Sequence, residues 1–216
     1  MTQKTDAGFY LNQMPLIAIL RGIKPDEILE YAEVIVSAGW RVIEIPLNSP
    51  EPFKSIEKLI AHYGDEILIG AGTVLNTDNV RKVAAVGGKV IVAPNTDAKV
   101  IGTALEHNMA VMPGFLTPTE AFLAYEAGAR YLKLFPADSM GPAYIKAVKS
   151  VLPADARIIP VGGVTPETIE SYHAAGCAAY GVGSPLYKPG MSLGTVESNA
   201  QNFAKACRNI MTADNA

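Results

Sequence analysis

Eight short runs rich in β-branched residues, at 16–20, 41–46, 67–72, 89–93, 110–113, 130–135, 157–161 and 178–182, alternate along this chain with amphipathic stretches. The stretches lie at 26–37, 53–62, 77–86, 98–107, 118–127, 143–151, 166–175 and 196–211. Strands joined through intervening helices run parallel, so the alternation predicts repeated βαβ units. A parallel sheet has both faces covered, which needs a large apolar content. The chain supplies it: 49% of its 216 residues are hydrophobic and 18% charged. Eight units in this length predict an α/β fold, a (β/α)8 TIM barrel, as one compact domain spanning 1–216 with 1–13 as an N-terminal extension. A doubly wound open sheet is the alternative, but it would carry a GxGxxG turn after its first strand. Here that strand ends in Arg21-Gly22-Ile23.

The punctuation fits. Pro25, Pro50, Pro118 and Pro166 are placed to open helices at their first position. Thr117-Pro118-Thr119-Glu120 reads as a capping box, and Gly39, Gly128 and Gly176 as C-terminal caps.

Charge and cysteine usage narrow the function. The formal net charge is −3, with no basic run, so no nucleic-acid footprint is expected, and an anionic ligand must be caught by local groups. Cys177 and Cys207 form neither a CxxC motif nor a disulfide framework, which suits a reducing cytoplasm. The N-terminal residues lack an apolar signal core, and no stretch is long and apolar enough for a membrane span. His62, His107 and His173 fall on helical stretches, away from strand ends, so no metal site is expected.

In a barrel of this type the chemistry sits at the C-terminal strand ends. Those ends carry Arg21, Glu44, Thr73, Pro94, Pro113, Lys133, Gly162 with Gly163, and Gly183 with Ser184. Lys133 stands out, because it lies inside the apolar run Tyr131-Leu132-Lys133-Leu134-Phe135. Lysine is almost never buried unless paired, and burial drives it toward the neutral amine of a Schiff-base nucleophile. A snorkelling lysine at a strand end is the plain alternative. Alternation puts Tyr131, Lys133 and Phe135 on one face and Leu132 and Leu134 on the other. The same parity groups Val42 with Glu44, and Ile43 with Ile45. With the purely aliphatic faces turned to the helices, Lys133 and Glu44 point inward. Both lie on even-numbered strands, so they can share one interior layer. An amine and a carboxylate in a partly dry site suit covalent and proton-transfer chemistry; a structural ion pair is the other reading.

Strands seven and eight end in Val161-Gly162-Gly163-Val164-Thr165-Pro166-Glu167 and Gly181-Val182-Gly183-Ser184-Pro185-Leu186. Loops at these two positions commonly bind phosphate through backbone N–H groups, although ordinary turns also use glycine. Thr73 could hold a carboxylate or cap a helix, and Arg21 could bind the same carboxylate or form a surface ion pair. Asn48 could cap the following helix or line a sugar pocket.

As a set, LRGI (20–23), EIPLNSP (44–50), GAGTVL (70–75), VAPN (92–95), PGFLTPTEA (113–121), LKLFPA (132–137), GPAYIKA (141–147), PVGGVTPE (160–167) and GVGSPLY (181–187) resemble a known family over nearly the whole chain. It is the 2-keto-3-deoxy-6-phosphogluconate aldolase family, class I aldolases of bacterial sugar-acid breakdown. Leu47-Asn48-Ser49, where gluconate-type members usually carry an arginine, together with Arg21 and Val161, resembles the galactonate-type branch instead. The resemblance implies a reversible retro-aldol reaction on a phosphorylated keto-deoxy sugar acid, giving pyruvate and D-glyceraldehyde 3-phosphate. It implies Lys133 as the imine-forming residue and Glu44 as the proton shuttle. It implies Thr73 and Arg21 at the carboxylate, and Gly162, Gly163, Gly183 and Ser184 at the phosphate. Pro94 and Phe135 would form the apolar wall. It implies no metal or organic cofactor, since the imine is the electron sink, and a homotrimeric assembly.

Overall fold

The structure is a computed structural model in which residues 6–213 are described. The elements run α1 (Ala7–Leu11), β1 (Leu16–Ile19), α2 (Ile28–Ser37), β2 (Val42–Pro46), α3 (Pro52–Tyr63), β3 (Leu68–Gly72), α4 (Thr77–Ala85), β4 (Val90–Val92), α5 (Ala98–Glu106), β5 (Ala110–Met112), β6 (Gly114–Phe115), α6 (Pro118–Glu126), β7 (Tyr131–Leu134), α7 (Gly141–Lys149), β8 (Arg157–Pro160), α8 (Ile169–Ala174), β9 (Tyr180–Val182) and α9 (Leu193–Ala213).

All strand pairs are parallel, in the order β5-β4-β3-β2-β1-β9 and β6-β7-β8. The two arcs join at both seams. Val161 bridges to Gly181 between β8 and β9. Lys133 N–H donates to the Pro113 carbonyl at 2.8 Å on the other side. A (β/α)8-type barrel results, with β5 and β6 acting as one strand position interrupted at Pro113. Proline has no N–H for the ladder, which is why the fifth strand breaks there and resumes to Phe115, beyond the predicted 110–113.

Two apolar layers hold the barrel. Inside it Ile17, Val42, Leu68, Val90, Met112, Tyr131, Ile159 and Ala179 fill the bore. Outside it Ile43, Ile45, Leu132 and Leu134 join the larger cluster between strands and helices. The predicted strand parity is therefore the observed one. Trp40 and Phe203 meet edge to face at 6.0 Å, and the Trp40 indole donates to the Ala200 carbonyl at 3.1 Å, tying α9 to the start of β2.

The ends of elements differ from expectation in places. Of the four prolines expected to open helices only Pro118 does so; Pro25 and Pro166 sit in turns ahead of α2 and α8, and Pro52, not Pro50, begins α3. A fixed φ suits a turn as well as a first helical turn, so the signal is ambiguous by a few residues. The Thr117–Glu120 capping box is formed, and Gly39, Gly128 and Gly176 follow their helices in the left-handed region. Within the expected N-terminal extension, whose first five residues lie outside those described, α1 forms a short helix capped by the Asp6 side chain. Its Ala7, Tyr10 and Leu11 pack into the barrel bore, so this segment plugs the N-terminal end of the barrel.

Candidate active site

At the opposite end, a cavity of about 450 Å³ opens between the C-terminal strand ends. Arg21, Thr73, Pro94, Lys133, Phe135, Gly162, Gly163, Gly183 and Ser184 all line it. Every residue that the resemblance implies at the substrate's carboxylate, phosphate and apolar wall thus reaches one cleft.

Lys133 lies at its floor, 6% exposed, on the inward face of β7. Its Nζ is 5.1 Å from the centre of the Phe135 ring. Burial holds the amine below its ordinary value; Glu44 opposes that shift and Arg21 adds to it. Glu44, 1% exposed on β2, is not part of the cleft wall. It faces a void of about 10 Å³ beneath the floor, which Lys133 also borders. Burial raises the Glu44 carboxyl to about 7, against the opposing charges of Lys133 and Arg21. Glu44 Oε2 has no hydrogen-bond partner among the described residues. An amine drawn toward neutrality and a carboxyl balanced between its two forms at neutral pH are the chemical forms that nucleophilic addition and proton transfer require.

Local backbone explains these positions. A Cβ at residue 72 would collide with the Glu44 carboxylate, so glycine there leaves the acid its room. The next residue, Thr73, holds φ of 57° and carries its side chain to the cleft. Such a conformation is strained for a β-branched residue, and strain of this kind gathers at functional sites. Gly162 and Gly163 have φ of 99° and 68°, and a Cβ on Gly163 would collide with Asp138. This turn accommodates only glycine, and it brings main chain to the cleft wall.

Asn48 does neither of the things expected of it. It is absent from the cleft wall, and the residue preceding α3 is Glu51. Instead its Oδ1 accepts a hydrogen bond from Arg21 Nη1, while Ser49 Oγ accepts one from Gly22 N–H at 2.9 Å. These contacts brace the Arg21 turn against the end of β2. Sequence reasoning missed Gly22, Tyr187, Lys188 and Pro189, which also line the cleft. The Gly181–Tyr187 motif stops one residue short of Lys188, although a basic residue so close to an expected anion site was a usable signal.

A model of the family described as KDPG and KHG aldolase matches residues 9–199. The chain is 50% identical over 196 residues to the 2-dehydro-3-deoxy-6-phosphogalactonate aldolase of Escherichia coli K12, covering 91% of this chain and 96% of that one. A solved structure described as native KDPGal superposes with a TM-score of 0.91 at 48% identity, covering 93% of this chain and 97% of the other. The KDPG aldolase of Legionella pneumophila, solved with pyruvate captured at low pH as a covalent carbinolamine intermediate, gives 0.80 at 26% identity, covering 97% and 98%.

Proposed function

This chain belongs to the KDPG and KHG aldolase family, and from that premise we propose that it cleaves 2-dehydro-3-deoxy-6-phospho-D-galactonate to pyruvate and D-glyceraldehyde 3-phosphate. It is a class I aldolase, a carbon–carbon lyase. The observation that carries the reading is the buried Lys133 amine, shifted toward neutrality, beside Glu44 under a cleft lined by Arg21 and the glycine loops after β8 and β9.

The proposed course follows from these positions. Neutral Lys133 Nζ adds to the C2 ketone, and loss of water from the carbinolamine leaves a protonated imine. The C3–C4 bond then breaks. Its electron pair moves into the imine to give an enamine, and the C4 hydroxyl loses its proton as the aldehyde forms. Protonation at C3 and hydrolysis of the imine release pyruvate and restore the amine. Glu44, set back beneath the floor, carries these protons through an intervening water. Arg21 and Thr73 hold the carboxylate end. Gly162, Gly163, Gly183 and Ser184 hold the phosphate, and Pro94 and Phe135 form the apolar wall around the reacting carbons. The resemblance to a family of homotrimers extends the proposal to the assembly.

Incubation with pyruvate and borohydride tests the nucleophile: a stable adduct should map to Lys133 and vanish in a folded Lys133→Ala protein that has lost turnover. An adduct elsewhere, or turnover retained in that variant, would remove Lys133 from the mechanism. Comparing kcat/KM for the galactonate compound and its gluconate epimer at C4 tests the substrate. A gluconate preference would overturn that part.

A further inference from the structure

Among the described residues three basic side chains line the cleft, Arg21, Lys133 and Lys188, and no acidic side chain does. Two of the three are already committed. Lys133 lies at the floor, and Arg21 is held by Asn48 with its charge acting on Lys133 and Glu44. Lys188 stands apart from them. It is exposed, it follows Ser184 on the loop after β9, and its ammonium has no hydrogen-bond or ion-pair partner among the described residues.

The backbone under Lys188 is firmly seated. Leu186 and Tyr187 N–H groups donate to the Gly183 carbonyl at 2.9 and 3.0 Å, and Met191 N–H donates to the Lys188 carbonyl at 3.1 Å. Tyr187, 2% exposed, donates its hydroxyl proton to Glu27 Oε1 at 3.0 Å and packs edge to face on Tyr31. Pro189 lies directly on the turn after β1: a Cβ at Gly22, whose φ is +84°, would stand 2.7 Å from Pro189 Cγ. The loop is thus fixed to the end of β9 and to the neighbouring β1–α2 unit, while the free end of the Lys188 side chain can swing over the cleft mouth.

Backbone N–H groups offer only partial charges, and the chain's formal net charge of −3 provides no field to draw in a doubly charged group. A point-charge ammonium is the usual complement to such a main-chain cradle. Resting on the aldolase reading, we propose that Lys188 is the side-chain cation of the phosphate end of the cleft, closing over the phosphate of the sugar acid and of the aldehyde product. Lys133 and Arg21 then serve the keto-acid end, and Lys188 supplies discrimination for phosphorylated over unphosphorylated substrates.

The test compares Lys188→Gln and Lys188→Arg with the parent on the phosphorylated substrate and on its unphosphorylated analogue. Loss of one charge-assisted contact predicts a KM for the phosphorylated compound raised about tenfold or more in the glutamine variant, with a matching rise in the inhibition constant of inorganic phosphate. The ratio of kcat/KM between the two substrates should fall by the same factor, and arginine should restore most of it. An unchanged KM and phosphate inhibition, or an equal loss on both substrates, would overturn the assignment. Pyruvate trapping by borohydride in the same variants keeps the two readings separate. An adduct with no phosphate effect refutes only Lys188, whereas phosphate binding with no adduct in the parent refutes the aldolase mechanism.

Discussion

Gly72 and Glu44 cannot be chosen independently, because any side chain at 72 would occupy the space of the Glu44 carboxylate. The acid so enclosed is costly. Its folded-state value of about 7, against an ordinary 4.5, means that the fold favours its protonated form. The stability this confers is fully present below about 4.5 and is lost as pH rises through about 7. Glu44→Gln, which carries no ionisable group, should therefore gain on the parent by on the order of 3 kcal/mol across that window. Chemical denaturation of both proteins near pH 5 and pH 8 measures this, and a constant difference would show that Glu44 ionises normally. The same variant should turn over about 10²–10⁴-fold more slowly, the usual contribution of a positioned acid–base group. The inward aim of Lys133 and Glu44 was legible because strand alternation is a hard geometric rule. The set-back of Glu44 beneath the floor was not, since depth along a barrel axis depends on register between strands distant in sequence.

At the scale of elements, loops and short helices carry what the pattern of runs could not. The β5–β6 interruption follows from one proline, yet the strand's resumption to Phe115 depends on β7, where Gly114 pairs with Lys133. A Cβ on Gly114 would collide with the Pro94 carbonyl, so this glycine lets the fifth strand pass close to the end of the fourth. The α1 helix, five residues long, is too short to announce itself by periodicity and is defined by what it covers. Tyr10 is fully buried there, and its hydroxyl donates to the Asp65 carbonyl at 3.1 Å. Tyr10→Ala should cost about 3–5 kcal/mol, as large aromatic truncations do. Pyruvate trapping on Lys133 should persist at temperatures where the variant stays folded. Lost trapping in a folded variant would mean that the plug also shapes the site.

For the whole molecule, the alternation of runs was enough to give the barrel, its parallel order and the end that bears the cleft. It was not enough to show how the barrel closes, because Val161–Gly181 and Lys133–Pro113 are contacts between far-separated strands. No helix among the described residues is long and apolar enough to cross a membrane. Assembly belongs to this scale too: light scattering should give three times the 22.9 kDa chain mass, and a monomer's mass would remove the homotrimer from the proposal.

The plug at the N-terminal end turns the barrel into a cul-de-sac. With α1 filling the bore from below, the cleft at the strand ends is the way in and out among the described residues. Traffic must then be sequential. On the proposed mechanism the aldehyde fragment, cut free and nearer the mouth, departs first, while pyruvate, still tethered at the blind end, waits for water to follow it in. In the reverse direction the order inverts: the keto acid has to be seated before the aldehyde arrives, or the doorway is already taken.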